Sequence, residues 1–217
     1  MANVITIGRI VLLFVGIVLL YRGSYGLALF AAVLFLVVFA SDALDGIVAR
    51  RRGSATVFGA VFDIVGDRVV ENALWIVFAD LGAIGVWAPL LVMTRGLLVD
   101  SVRRVALGAG RTPFGERTMH RSSVTRFLAA SRFMRALYGV AKLLAFAFLS
   151  GLIATRTAAG WEDPLTSLYG EGLFLVVGWV AVYLTLGLTV LRGLPVLVDA
   201  LPYLRDGEEI RARESIG

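Results

Sequence analysis

The chain has 217 residues, of which 59% are apolar and 17% are charged, and its formal net charge is +5. This composition excludes an ordinary soluble domain and indicates a polytopic membrane protein. The chain has no cysteine and a single histidine, His120, which excludes disulfides, thiolate metal sites and multi-histidine metal clusters. Any bound metal would therefore be held by oxygen atoms, which favours a hard ion such as Mg²⁺, Mn²⁺ or Ca²⁺.

Six apolar segments follow one another along the chain, and each can supply the roughly 20 residues that a spanning helix needs. We therefore predict an all-α fold of six transmembrane helices that form one domain over residues 1–217. Pro195 and Pro202 are expected to end the last helix, so that residues 193–217 form a cytoplasmic tail. The segments cover residues 5–21, 25–46, 57–81, 82–102, 127–153 and 173–191.

Arginine is concentrated in alternate loops between these segments. Residues 50–52 are all arginine, six arginines lie between the fourth and fifth segments, and Arg205, Arg211 and Arg213 lie in the stretch after the sixth. The opposite loops carry only Arg22 and Arg156. The positive-inside rule then predicts that both termini face the cytoplasm, in a multi-pass protein of the inner (cytoplasmic) membrane.

Four aspartates lie at fixed offsets at the ends of the second and third segments, in the pattern D-x2-D-G-x2-A-R-x8-G-x3-D-x3-D. Asp42 and Asp45 are three residues apart and share one helical face, and Asp63 and Asp67, four apart, share a face of the next helix. A carboxylate at the centre of a membrane helix costs roughly 2.5 to 3.5 kcal/mol, so four that converge require a compensating cation. We therefore predict that these four aspartates hold one or two divalent cations on the cytoplasmic side.

Small and basic residues are set between the acids. Gly59 lies one turn before Asp63 and leaves room for a ligand or a closely packed helix, while Gly46 and Ala49 keep the facing stripe small. Arg50 stands next to the acids, where a metal-held diphosphate would lie. The spacing therefore predicts a site for a phosphate-rich ligand.

This stretch resembles the signature of the CDP-alcohol phosphotransferase family, and all eight signature positions are present. The resemblance implies a membrane enzyme with six transmembrane helices, which transfers the substituted phosphate of a CDP-linked donor to a hydroxyl and releases CMP. It implies that Asp42, Asp45 and Asp63 bind metal, with Asp67 both sharing in a two-metal Mg²⁺ or Mn²⁺ site and deprotonating the acceptor hydroxyl. The residues implied to contact the cytidine diphosphate are Gly46, Ala49, Arg50 and Gly59.

The acceptor is indicated by further arginines. Thr94-Arg95, followed by Ser101 and Arg103, is similar to the T-R-E…S-x-x-R run of bacterial phosphatidylglycerophosphate synthases, with Gly96 in place of the glutamate. The residues predicted to form a basic pocket for an anionic acceptor are Arg95, Arg103, Arg132 and Arg135. The favoured acceptor is glycerol 3-phosphate, and inositol phosphate or another alcohol is the alternative. Each arginine could instead anchor the chain at the membrane interface.

Other classes of function remain open at this stage. An aspartate-based cation transporter would also keep acids in a membrane, but a relay would place them near the midplane and would not use the glycine spacing. A scaffold with a degenerate site would not retain all four aspartates. Expected partners are CDP-diacylglycerol, a small polar alcohol, membrane lipids and a second copy in a homodimer, without nucleic acid. His120 is interpreted as a loop residue.

Overall fold

In this computed structural model, the described residues are 2–52, 57–108, 125, 127–128, 131–158 and 164–214. Side chains are described within residues 5–41, 59, 61–104, 125, 127–128, 131–158 and 164–199. Every element formed by these residues is an α-helix. The helices are α1 (Ala2–Tyr21), α2 (Tyr25–Arg52), α3 (Val57–Asp80), α4 (Trp87–Gly108), α5 (Arg132–Arg156), α6 (Pro164–Gly170) and α7 (Gly172–Glu214).

The prediction of an all-α fold is confirmed for the described part of the chain. Helix α5 and the Gly172–Asp199 part of α7 are long and apolar enough to cross a membrane, and Ile5–Tyr21 and Tyr25–Ser41 are shorter apolar helices. These helices are consistent with a membrane protein. The number of spans and the cytoplasmic location of the termini stay predictions.

Two details differ from the sequence-based expectation. Helix α7 continues through Pro195 and Pro202 as far as Glu214, so the prediction that these prolines end the helix is wrong. A proline removes one backbone hydrogen bond and bends a helix, but neighbouring groups can satisfy the released carbonyl. The short helix α6 was not predicted, although it has Pro164 at its first position and Gly170 at its last, which are common boundary residues.

The chain divides into two compact units. The first contains Met1–Pro89 and Ala141–Tyr183, and the second contains Leu90–Val140 and Leu184–Gly217. The acids of α3 belong to the first unit, and all four arginines predicted for the acceptor belong to the second.

In the first unit, α1 and α3 run parallel. Near the start of both helices, Arg9 contacts Asp63 at 3.3 Å, and at their ends the Tyr21 hydroxyl donates a hydrogen bond to Asp80 at 2.5 Å. Because α2 lies between them in sequence, this arrangement has the direction that alternating membrane spans require.

Helix α5 runs in the same direction as α3. Lys142 Nζ lies 3.8 Å from Glu71 Oε1. One turn later in both helices, the rings of Phe146 and Trp75 pack edge to face, with their centroids 5.1 Å apart. Trp75 and Phe146 are both fully buried, so this aromatic contact is part of the core of the unit. Helices α1, α3 and α5 therefore run in the same direction.

Helix α6 docks on α5 through one tyrosine. The buried Tyr169 hydroxyl donates a hydrogen bond to the backbone carbonyl oxygen of Phe148 at 2.8 Å. The rings of the two residues are stacked, with their centroids 5.5 Å apart. Burial raises the pKa of Tyr169 to about 12, so the hydroxyl keeps the proton that it donates. Gly151 leaves room for this ring, because a Cβ there would overlap the tyrosine hydroxyl.

Close packing of α1 on α2 depends on Gly16. A Cβ atom at this position would lie 2.6 Å from the ring of the buried Phe35. We expect Gly16→Ala to lower the free energy of unfolding by about 1–3 kcal/mol, because the ring has no space to move into. Thermal unfolding in detergent measures the effect, and adding Phe35→Leu should recover part of it. Gly139→Ala, at a glycine with open space around the Cβ position, is the matched control.

Candidate functional site

Asp63 and Asp67 form an acidic pair on one face of α3. They lie four residues apart in a continuous helix, and their side chains are 47% and 44% exposed. The prediction that the two share a helical face is therefore confirmed, and both remain accessible to a ligand.

Arg9 of α1 bridges the two acids. Its Nη1 donates to Asp63 Oδ1 at 3.3 Å, and its Nη2 donates to Asp67 Oδ1 at 2.6 Å. The arginine side chain is only 3% exposed. The guanidinium therefore engages one oxygen of each carboxylate from the buried side of the pair.

The close approach of α1 to α3 explains how Arg9 reaches the acids. Thr6, one turn before Arg9, is buried, and a Cβ at Gly66 would lie 2.5 Å from its Cγ2. Gly66 stands between the two acids in sequence, so this close contact of α1 with α3 lies beside them. The absence of a side chain at this position brings the guanidinium within hydrogen-bonding range.

The first half of the predicted motif lies on α2. Helix α2 extends over Tyr25–Arg52 and so contains Asp42, Asp45 and the other motif residues up to Arg50. The backbone between Asp42 and Asp45 is therefore helical, as predicted. The side chains of Asp42, Asp45, Gly46, Ala49 and Arg50 lie outside the described residues, and their convergence with α3 stays a prediction. Gly59 is buried near the start of α3, and its predicted contact with a ligand stays a prediction.

The donor chemistry of the acidic pair suits a hard divalent cation. Both members offer carboxylate oxygens, which are the ligands that Mg²⁺ and Mn²⁺ prefer. Among the described side chains, which exclude Asp42 and Asp45, no group of three acidic or histidine residues lies close enough to hold a metal ion. Asp63 and Asp67 are therefore half of the predicted ligand set, and they fit the ion.

Glu71 extends the acidic face of α3 by one more turn, but it is buried. Its carboxylate lies 3.6 Å from Arg68 Nη1 and 3.8 Å from Lys142 Nζ. The ammonium group of Lys142 also lies 5.8 Å from the centre of the Phe39 ring. Two cations thus compensate this carboxylate, which is consistent with a role in holding α3 against α5.

In the second unit, an arginine cluster surrounds Arg192 of α7. Arg95, Arg103 and Arg135 all act electrostatically on Arg192, so three of the four arginines predicted for the acceptor are brought together. The fourth, Arg132, is exposed at the first position of α5 and is not among the described arginines that act on Arg192. Arg192 was missed from the sequence, although a charge at the end of a long apolar run is itself a signal.

Neighbouring residues hold this arginine cluster in place. The Arg192 guanidinium lies 5.1 Å from the centre of the Tyr138 ring, and the Tyr138 hydroxyl is 3.3 Å from Thr189 Oγ1. Gly193 makes room for Arg95, because a Cβ there would lie 2.7 Å from the arginine Cγ. The buried Asp199 is two turns beyond Arg192 on α7 and supplies negative charge to the same unit.

Several guanidinium groups that lie near one another favour the binding of an anion. The guanidinium group matches the oxygens of phosphate in a bidentate manner. The arginine cluster of Arg95, Arg103, Arg135 and Arg192 can therefore hold a phosphate group, while the acidic pair of α3 can hold a cation.

Comparison with known proteins identifies similar sequences. The family model described as CDP-alcohol phosphatidyltransferase matches residues 1–191. A probable phosphatidylglycerophosphate synthase of Mycobacterium tuberculosis is 32% identical over 117 residues, which cover 52% of this chain and 56% of the relative.

Two further relatives are named CDP-diacylglycerol–glycerol-3-phosphate 3-phosphatidyltransferase. The protein of Rickettsia typhi is 30% identical over 101 residues, covering 46% of this chain and 57% of the relative. The protein of Cereibacter sphaeroides is 25% identical over 187 residues, covering 82% of this chain and 84% of the relative. Over the first relatives, the chain thus spans little more than half of their length.

Proposed function

Because the chain belongs to the CDP-alcohol phosphatidyltransferase family, we propose that it transfers the phosphatidyl group of CDP-diacylglycerol to a small polar acceptor. The preferred acceptor is glycerol 3-phosphate, and CMP is released. The names of the relatives from Rickettsia typhi and Cereibacter sphaeroides support this reaction. The protein would work in the inner membrane with its site facing the cytoplasm, as its loop arginines suggest.

The observation that carries the proposal is the acidic pair of Asp63 and Asp67, accessible on one helical face inside the region that matches the family. Asp67 is proposed to take the proton from the acceptor hydroxyl. The acceptor oxygen then bonds to the phosphatidyl phosphorus, and the bond from that phosphorus to the phosphate oxygen of CMP breaks.

The remaining motif residues are proposed to hold the donor. The aspartates would bind two Mg²⁺ or Mn²⁺ ions, which when bound neutralise the diphosphate and the leaving CMP. Arg50 would pair with a phosphate oxygen, and the small residues would allow the nucleotide to approach the helices closely. The proposed metal ligands are Asp42, Asp45, Asp63 and Asp67, and the proposed donor contacts are Gly46, Ala49, Arg50 and Gly59.

The arginine cluster supports an acceptor that carries a phosphate. Arg95, Arg103 and Arg135 were predicted for this role, and Arg192 joins them. Arg132, at the start of α5, stays a predicted member of the proposed pocket. Glycerol 3-phosphate and inositol phosphate both present a phosphate dianion, so the arginine cluster suits either one and favours both over neutral alcohols.

A panel assay tests the proposed reaction. Purified full-length protein receives CDP-diacylglycerol and Mn²⁺ or Mg²⁺, together with glycerol 3-phosphate, inositol phosphate, serine or glycerol, and CMP release is measured. We expect release to depend on the metal and to be fastest with glycerol 3-phosphate. Faster release with inositol phosphate would mean that inositol phosphate is the acceptor, while the proposed transfer reaction would stand. Ion flux in proteoliposomes without CMP release would instead favour the aspartate-based transporter.

The role of Asp67 as the base is tested by Asp67→Asn. The amide is nearly isosteric and can still accept the hydrogen bond from Arg9, so we expect the fold and donor binding to be largely kept. Turnover should fall by roughly 10²- to 10⁴-fold, the usual contribution of a general base, or by more if a metal contact is lost. Steady-state kcat and donor binding are the measurements. Near-normal turnover would exclude Asp67 as the base.

The acceptor site is tested by neutralising Arg192 or Arg95. A charged hydrogen bond is worth about 1.5–3 kcal/mol, so we expect Arg192→Gln and Arg95→Gln each to raise the glycerol 3-phosphate KM by on the order of 10- to 100-fold. The donor KM should change much less. Arg156→Gln is the control, since the exposed Arg156 donates to the Gly82 carbonyl oxygen instead. Equal increases in both KM values would contradict an acceptor-specific role.

A further inference from the structure

Arg9 contacts both Asp63 and Asp67, but the proposed chemistry gives it no step. A buried guanidinium that is 3% exposed and donates at 2.6 Å to the proposed base is too close to be without effect on the site. Its role must be compatible with Asp63 and Asp67 holding a divalent cation at another stage.

The acids need compensation before any metal ion is bound. Two carboxylates four residues apart on one face of a helix repel one another, so a positive charge nearby stabilises the metal-free chain. Arg9 supplies that charge from the neighbouring helix and divides it between Asp63 Oδ1 and Asp67 Oδ1. The same atoms belong to the carboxylates that a metal ion would use.

We infer that Arg9 is a tethered counter-ion of the acidic pair, which stabilises the metal-free protein and competes with the divalent cation for Asp63 and Asp67. This inference rests on the proposed metal site. It assigns to α1 a function in setting the affinity of the site for metal, in addition to its packing against α2 and α3.

Competition is expected to outweigh any help that Arg9 gives in arranging the acids. Their spacing is already set by the backbone of α3, which is helical throughout Val57–Asp80. Arg9 therefore contributes mainly its positive charge and does little to fix the spacing of the two carboxylates. A unit positive charge close to a divalent ion changes its affinity by on the order of tenfold even at the screening of water.

The contact between α1 and α3 does not depend on Arg9 alone. Thr6 packs against Gly66 at one end of the helix pair, and Tyr21 donates to Asp80 at the other. These contacts allow the charge of Arg9 to be removed while the helices stay together. Tyr21→Phe also provides a matched control, because it weakens the same helix pair far from the acids.

The experiment measures Mn²⁺ binding to the full-length protein, purified in detergent and freed of metal with chelator, by electron paramagnetic resonance of the unbound ion at fixed pH. Arg9→Gln should tighten the Mn²⁺ Kd by about tenfold, because it removes the competing charge. Arg9→Lys should stay within about twofold of the unaltered protein, since the charge is kept. Tyr21→Phe should leave the Kd unchanged.

Thermal unfolding of the same proteins gives a second readout. In chelator, Arg9→Gln should have a lower Tm than the unaltered protein, and its Tm should rise more when Mn²⁺ is added. Tyr21→Phe should lower the Tm equally with and without Mn²⁺. If Arg9 had only a structural role, Arg9→Gln would likewise lower the Tm equally with and without Mn²⁺.

The outcomes separate this inference from the proposed function. Unchanged or weaker Mn²⁺ binding by Arg9→Gln would overturn the inference while leaving the metal site intact. No Mn²⁺ binding by the unaltered protein would overturn the metal-dependent proposal and the inference with it. An Arg9→Gln protein that is recovered only with Mn²⁺ present would support the inference, whereas one lost under both conditions would overturn it.

Discussion

Compensation of neighbouring carboxylates on α3 is the constraint on which this structure depends. The first unit meets it by drawing α1 against α3, so that Arg9 reaches Asp63 and Asp67 at 3.3 and 2.6 Å. Gly66 makes room for this contact, because a side chain there would collide with Thr6 of α1. The first helix thus contributes a side chain to the candidate site.

The same constraint acts once more along α3. Glu71, one turn beyond Asp67, is compensated by Lys142 of α5, the single lysine of the chain. Because α1 and α5 both run parallel to α3, cations on each reach acids on successive turns of one helix. Buried ion pairs add little net stability, but breaking one leaves an uncompensated charge, so they specify which helices must be neighbours.

Local patterns in the sequence predicted most of the fold, and contacts between distant residues explain what they missed. The apolar segments predicted from the sequence begin at Tyr25 and Val57, where α2 and α3 begin in the structure. The seven-residue α6 is too short for such a signal, and Pro195 was given too much weight as a helix breaker. Arg9 and Asp63 are 54 residues apart, so their pairing follows from helix packing and not from any motif.

The arginine cluster of the second unit restricts the chemistry of the proposed acceptor. Arg192 is repelled by Arg95, Arg103 and Arg135, and the Tyr138 ring beneath it supplies only a weak attraction. A neutral alcohol would add no negative charge beside these guanidinium groups. A phosphate dianion would bring two negative charges and an oxygen geometry that guanidinium groups match. The electrostatics of this unit therefore favour an acceptor whose hydroxyl is attached to a phosphate.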